Sequence, residues 1–337
     1  MTGHMSVRHM FHRIGEELHA TRVIAGATSW SDALATLRAK VDIQVMSHNG
    51  YREPPAVRAR LLRKHAVVLR YLEGLLGDYA ASYDYAAPPP PAAPTLTDHV
   101  WLCWWQGLDR APEIVRACVA SISRNVGNHP VTLVTDANYR DYVDLPGWVM
   151  DKVHAGIITR TNLSDLLRLS LLAEHGGLWL DATLFCVAPI DELVFGHPIF
   201  TIKRPDYLHA SIAGGNFAGY SLACDEDHRR VFVTVRDLFL EHWRRSDFMV
   251  DYLLVDYLIA MAQRHDPYIA AAFEAVTPNN PLCDELSKCL GEPFDSARWD
   301  ELSRDTSLFK LTWKQGFPAE HNGKQTFYGA LLKGDLS

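Results

Sequence analysis

Apolar and polar positions alternate in two different ways along this chain. Between residues 57 and 76, Val57, Leu61, Val68, Leu72 and Leu75 recur at helical steps, with Leu62, Leu69 and Leu76 beside them. This is the stripe of an amphipathic helix. Arg58, Arg60, Arg63, Lys64 and Arg70 decorate its other face, and Pro54-Pro55 stands at its start, where proline is tolerated. A shorter helix is predicted over Ser31 to Lys40, capped by Ser31. After residue 98 the pattern changes. His99 to Trp104 reads as a strand, Pro112 to Arg124 as a helix, Val131 to Thr135 as a strand, Asn162 to His175 as a helix, and Leu178 to Val187 as a strand. Strands alternating with helices predict an α/β fold with a mostly parallel sheet flanked by helices. Ala86 to Pro94 holds five prolines in nine residues, which favours an extended connector. The expected domains are therefore a helical N-terminal unit (1–86), a Pro-rich linker (87–94) and a larger α/β domain (95–337).

Composition narrows the function classes. The 337 residues are 48% hydrophobic and 22% charged, with a formal charge of −7. That is ordinary for a globular protein and argues against a nucleic-acid binder, whose footprint is basic. The most apolar stretch, Leu178 to Ile190, is interrupted by Asp181 and too short to span a bilayer. The expected location is cytoplasmic, with peripheral contact at the inner face of a membrane through the basic Arg58–Arg70 helix. The six cysteines, none in a C-x-x-C pair, read as small buried hydrophobes of a reducing compartment. Oligomeric state is not legible.

Chemistry concentrates between Asn162 and Thr183. Asp165 and Arg168 are three apart and share one face of the predicted helix. Gly176-Gly177 ends it, and Asp181 then interrupts an apolar strand. A carboxylate there is costly to bury unpaired, so it belongs at the strand end or beside a cation. Taken singly, each feature has a bland reading. Asp165–Arg168 is then an exposed helix ion pair worth well under ~1 kcal/mol, and Asp181 a turn or cap residue. Their joint spacing around Gly-Gly points instead to a ligand site at the carboxyl ends of the strands, with Trp104–Gly107 and Thr135–Asp136 as its other walls. Asn216, Asp251 and Asp256 are further polar candidates; the two aspartates, five apart, point different ways on a helix.

Trp104-Trp-Gln-Gly107 with Ala111-Pro112, Ser164-Asp-Leu-Leu-Arg168, Gly176-Gly-Leu-Trp-Leu-Asp-Ala-Thr183, Lys310-Leu-Thr-Trp-Lys314 and Thr326-Phe-Tyr328 together resemble the capsular polysaccharide synthesis proteins. These are relatives of glycosyltransferases with a DxD sugar-binding region. The resemblance covers about His99 to Leu332 and leaves residues 1–94 outside. It implies a GT-A fold and a nucleotide-sugar-dependent, retaining glycosyltransferase. A UDP-sugar is the expected donor, and a glycan or lipid-linked glycan the acceptor. By that likeness Trp105 stacks on the nucleobase and Asp165 and Arg168 read the sugar hydroxyls. Asp181 holds the ribose or, through Mg²⁺ or Mn²⁺, the diphosphate, and Gln106, Asp136, Thr183 and Lys314 complete the donor site. Asn216 joins the catalytic set with Asp165, Arg168 and Asp181, and Asn216, Asp251 and Asp256 become the candidates for the acceptor side. The pattern departs in one place, because Asp181-Ala-Thr183 lacks the second carboxylate of DxD. Lys314 and Arg204 then become candidates to neutralise the diphosphate. A catalytically silent nucleotide-sugar-binding or scaffolding protein of the same fold is the alternative, as is a metal-independent enzyme.

Overall fold

The computed structural model describes residues 20–91 and 98–336; the last part of the Pro-rich connector lies outside the described residues. Its centre is a five-stranded sheet in the order β2-β1-β3-β6-β5. The strands are β1 (Val100–Cys103), β2 (Val131–Val134), β3 (Gly177–Leu180), β5 (Ile199–Thr201) and β6 (Ser221–Cys224). β1 pairs parallel with β2 and β3, whereas β6 runs antiparallel between β3 and β5. Four strands thus share one direction and β6 opposes them, so the sheet is mostly parallel as expected. A second pairing joins β4 (Leu184–Cys186) to β7 (Leu308–Lys310).

Successive side chains leave a strand on opposite faces. Trp101 and Trp179 bury themselves in one core, while Val100, Leu102, Leu178 and Leu180 enter a second. The first core holds α5 (Arg160–His175), α6 (Arg230–Arg245) and α7 (Leu254–His265). The second holds α3 (Glu113–Asn125) and the β4–β7 pair. Helix α4 (Gly147–His154) closes one flank of the first core.

The two N-terminal helices are longer than their patterns suggest: α1 spans Trp30–His48 and α2 spans Pro55–Ser82. The cap of α1 is Ser29, whose hydroxyl accepts from the Asp32 amide at 3.1 Å; the expected cap, Ser31, instead accepts from Arg63 at 2.9 Å. Apolar side chains of α2, among them Val67, Val68, Leu72 and Leu76, belong to the same core as Trp101 and Trp179. Part of the stripe of α2 is thus buried against α6 and α7, while Leu61 packs with Ala39 and Met46 of α1 in a small cluster apart from that core.

The basic face of α2 is also tied down. Arg58 pairs with Asp206, Arg60 with Asp42 at 2.5 Å, and Arg63 and Arg70 both reach Asp32. Lys64 forms a buried ion pair with Asp251 at 2.7 Å, with side-chain exposures of 2% and 6%. His65 accepts from the Tyr257 hydroxyl at 2.6 Å and donates to the His209 carbonyl at 2.8 Å. Burial, with the Lys64 charge beside it, pushes the His65 pKa down to about 4, so the ring is neutral and this donor pattern holds. Glu53 receives both the amide and the imidazole of His209 at 2.7 and 2.9 Å. The N-terminal helices therefore anchor the 204–216 loop and the start of α7.

A further sequence expectation fails. The strand expected over Leu178 to Val187 is two strands, broken at Asp181-Ala-Thr183, and β4 leaves the central sheet to join β7. The break is a turn closed by the Leu184 amide on the Asp181 carbonyl at 2.9 Å.

Removing one member of a buried ion pair strands the other charge and costs about 3–5 kcal/mol, whereas an apolar pair is near neutral. Lys64→Met should therefore destabilise the chain by that order in urea titrations, and Lys64→Met with Asp251→Leu should recover most of the loss. Equal instability of the single and double variants would refute the anchoring role of this pair.

Candidate active site

The site forms where β3 ends. Thr159 caps α5 by accepting from the Asn162 amide at 3.2 Å, and Gly176 and Gly177, both at positive φ, turn the chain into β3. A Cβ on Gly177 would stand 2.4 Å from the His99 carbonyl oxygen, so only glycine lets α5 lead directly into a strand beside β1. This fixes Asp165 and Arg168 over the carboxyl end of the sheet, with Asp181 one residue beyond β3.

Arg168 joins the pieces. It pairs with Asp165 at 3.0 Å and Asp181 at 3.5 Å, donates to the Gly219 carbonyl, and lies 5.2 Å over the Trp179 ring. Asp165 and Arg168 are 5% and 7% exposed, so this is no surface ion pair. Asp181 accepts from the Trp179 indole at 3.1 Å and from Lys310 at 2.7 Å; Lys310 also donates to Thr183 at 2.8 Å. Gly219 lets Asp256 close in, since a Cβ there would meet the Asp256 carboxylate at 2.9 Å. The second Asp256 oxygen accepts from Ser211 at 2.6 Å.

Three carboxylates thus surround two cations, and the surroundings divide them. Burial would raise the Asp181 carboxyl, but Lys310 and Arg168 outweigh it and hold it below the usual carboxylate range. Burial lifts Asp165 to about 7 despite Arg168, with Asp181 and Asp256 adding like charge. Burial likewise lifts Asp256 to about 6 against the Ser211 hydrogen bond.

A cavity of about 380 Å³ opens onto this cluster. Asp165, Arg168, Asp181, Asp256 and Lys310 line it, together with Arg204, Tyr220 and Tyr252. Arg204 is held by Asp284 at 2.6 Å and the Tyr220 hydroxyl at 3.1 Å. Of the two candidate acceptor-side aspartates, Asp256 faces this cavity and Asp251 is taken by Lys64.

The other sequence candidates lie elsewhere. Trp105 is buried, its indole donating to Ser164 at 2.8 Å and its ring contacting Tyr139 and Arg160; it does not line the cavity. Asp136 pairs with Arg160 beside it. Gln106, Asn216 and Lys314 are exposed and outside the cavity lining. Thr183 touches the cluster only through Lys310. The residue sequence reasoning missed is Lys310. Its signal was visible, because it is a lone charge at the end of the apolar run Leu308-Phe309, as Asp181 is in its own strand. Among the described residues no group of three or more His, Cys, Asp and Glu side chains is placed to hold a metal. Both Asp181 oxygens already face cations, and a divalent ion there would sit against Lys310 and Arg168. The donor set therefore does not suit the Mg²⁺ or Mn²⁺ weighed for Asp181.

No curated protein matches this chain. Among solved structures, a chain titled "PaToxG Glycosyltransferase" aligns at 14% identity over 64% of this chain and 81% of that one, with a TM-score of 0.33. A family model described as "Capsular polysaccharide synthesis protein" matches residues 51–331. It begins upstream of the linker and takes in all of α2, so the family segment includes the helix that anchors the cavity wall. This chain belongs to the capsular polysaccharide synthesis protein family.

Proposed function

We propose that this protein is a nucleotide-sugar-dependent glycosyltransferase that extends a glycan or lipid-linked glycan during capsular polysaccharide synthesis. The family supplies the setting. The observation that carries the chemistry is the Asp165–Arg168–Asp181–Lys310 cluster at the floor of one cavity, at the carboxyl ends of parallel strands. Arg168 and Asp165 offer a donor and an acceptor side by side, which suits a pattern of sugar hydroxyls.

The departing diphosphate needs positive charge near its oxygens. Lys310 has two of its three protons engaged by Asp181 and Thr183, leaving one for a phosphate oxygen. Arg204 faces the same cavity. In this reading Lys310 and Arg204 do what the second carboxylate of DxD and its metal do in the related enzymes. Asp181 holds Lys310 in place. Clamped by two cations, Asp181 is a poor nucleophile, which favours retention by front-face attack, with the leaving phosphate taking the acceptor proton. Asp256, beside Gly219 and Arg168 in the same cavity, is the residue assigned in this reading to the acceptor hydroxyl. The donor base remains uridine as the expectation, to be read from a panel of UDP-, GDP- and dTDP-sugars.

Lys310→Met should lower kcat by about 10²–10³-fold, the usual cost of losing one preorganised charge at a developing anion, while the fold persists. Lys310→Arg should recover part of the loss, and wild-type turnover should survive chelation by EDTA. A wild-type protein that binds a sugar nucleotide but never transfers or hydrolyses it would establish the silent binding reading. Turnover abolished by EDTA and restored by Mn²⁺ would remove Lys310 from its assigned role.

The raised pKa values set two opposite pH trends. Activity needs the Asp165 and Asp256 carboxylates ionised, so kcat/KM should rise as pH increases through about 6–7. For stability, both groups ionise near 4 when unfolded, so between about pH 4 and 7 the folded state binds more protons. Their contribution to stability is therefore lost as pH rises across that window. Asp256→Asn should flatten the stability profile measured by urea titration from pH 4 to 8; an unchanged slope would contradict the assignment.

A further inference from the structure

Eight large apolar side chains remain exposed among the described residues, and six of them lie between residues 30 and 62. Four are on α1: Trp30, Leu34, Val41 and Val45, between 63% and 52% exposed. At ~100° per residue they fall within about 60° of one another and run about 22 Å along the helix. The opposite face, with Ala33, Thr36, Ala39 and Met46, is buried. Helix α1 is thus apolar on two sides and only one side is covered by the described chain. An apolar stripe of this extent marks an interaction site.

Charge selects the partner. Residues 30–70 hold eight Lys and Arg against three Asp and Glu, in a chain whose total is −7. Of the two α1 acids, Asp42 beside the stripe is matched by Arg60, and Asp32, on the far side of the helix, by Arg63 and Arg70. Arg38, exposed, flanks the stripe. An apolar face with tryptophan at its end and a positive surround is the pattern of a helix lying in a lipid interface. Among the described residues no helix is long and apolar enough to cross a membrane.

We propose that α1 docks flat on an anionic bilayer, with Trp30, Leu34, Val41 and Val45 entering the acyl boundary and Arg38, exposed beside the stripe, meeting the head groups. The position is suited to the chemistry. A second cavity, of about 640 Å³, is walled by Lys40, Ile43 and Gln44 on the flank of α1 and by Tyr252 and Leu253. Tyr252 and Leu253 also line the candidate active site. A lipid-anchored acceptor would reach the site along this route, a step that rests on the transferase reading; the docking itself does not.

Flotation of the full chain with phosphatidylcholine vesicles, with and without phosphatidylglycerol, tests it. Wild type should bind the anionic vesicles and release in high salt. Leu34→Ser with Val41→Ser should weaken binding by about tenfold or more, since each substitution removes roughly one buried aliphatic side chain. Unchanged thermal unfolding would show that these exposed positions leave the fold intact. Transfer to a soluble acceptor should be unaffected, which separates failure of docking from failure of the transferase assignment. Three outcomes overturn the proposal: no binding of wild type to anionic vesicles, full binding by the double variant, or a wild-type dimer in light scattering that the double variant dissociates. The last would make the stripe a contact between two copies.

Discussion

A single guanidinium holds this site together. Arg168 is buried among Asp165, Asp181 and the Gly219 carbonyl, and reaches them from α5, from the end of β3 and from the entry to β6. Few side chains span three elements, and the planar, permanently charged Arg fork does so without a deprotonated state to escape into. Taking it out of water is tolerable only because carboxylates and a carbonyl replace the lost hydration. The same low dielectric then pushes Asp165 and Asp256 upward while Asp181, with a second cation, stays ionised. One burial event thus sets the charge state of the whole cavity floor.

The antiparallel strand matters for the same reason. Because β6 runs against its neighbours, the segment leading into it arrives at the carboxyl end of β3. Gly219 and Tyr220 are thereby delivered beside Asp181, whose amide donates to the Tyr220 carbonyl at 2.9 Å. The β4–β7 pair brings Lys310 to the same place, next to Thr183. The break at Asp181-Ala-Thr183 is what allows both: a continuous strand would have carried Asp181 into the sheet and Lys310 away from it.

The N-terminal helices contribute by holding one wall. Glu53, Arg58, Lys64 and His65 fasten the 204–216 loop and the start of α7, from which Asp256 and Tyr252 face the cavity. The family match from residue 51 agrees with that division of labour. Residues 1–50 lie before the match, and α1 within them carries the face proposed to meet lipid.

The sequence by itself determined the strand–helix alternation and singled out Asp165, Arg168 and Asp181, which the fold brings together, because periodicity and a charge in an apolar run are local signals. It also carried Lys310 in plain view as a charge ending an apolar strand. What it did not contain was partnership. Lys64 and Asp251 are 187 positions apart, and Lys310 and Asp181 are 129 apart, so no spacing rule pairs them. Nor could periodicity tell that β4 leaves the sheet, that Trp105 turns inward onto Ser164, or that the basic side chains of α2 are spoken for while α1 keeps an apolar face uncovered. Those outcomes depend on which surfaces meet when the chain closes on itself, and long-range charge pairing and burial are decided only there.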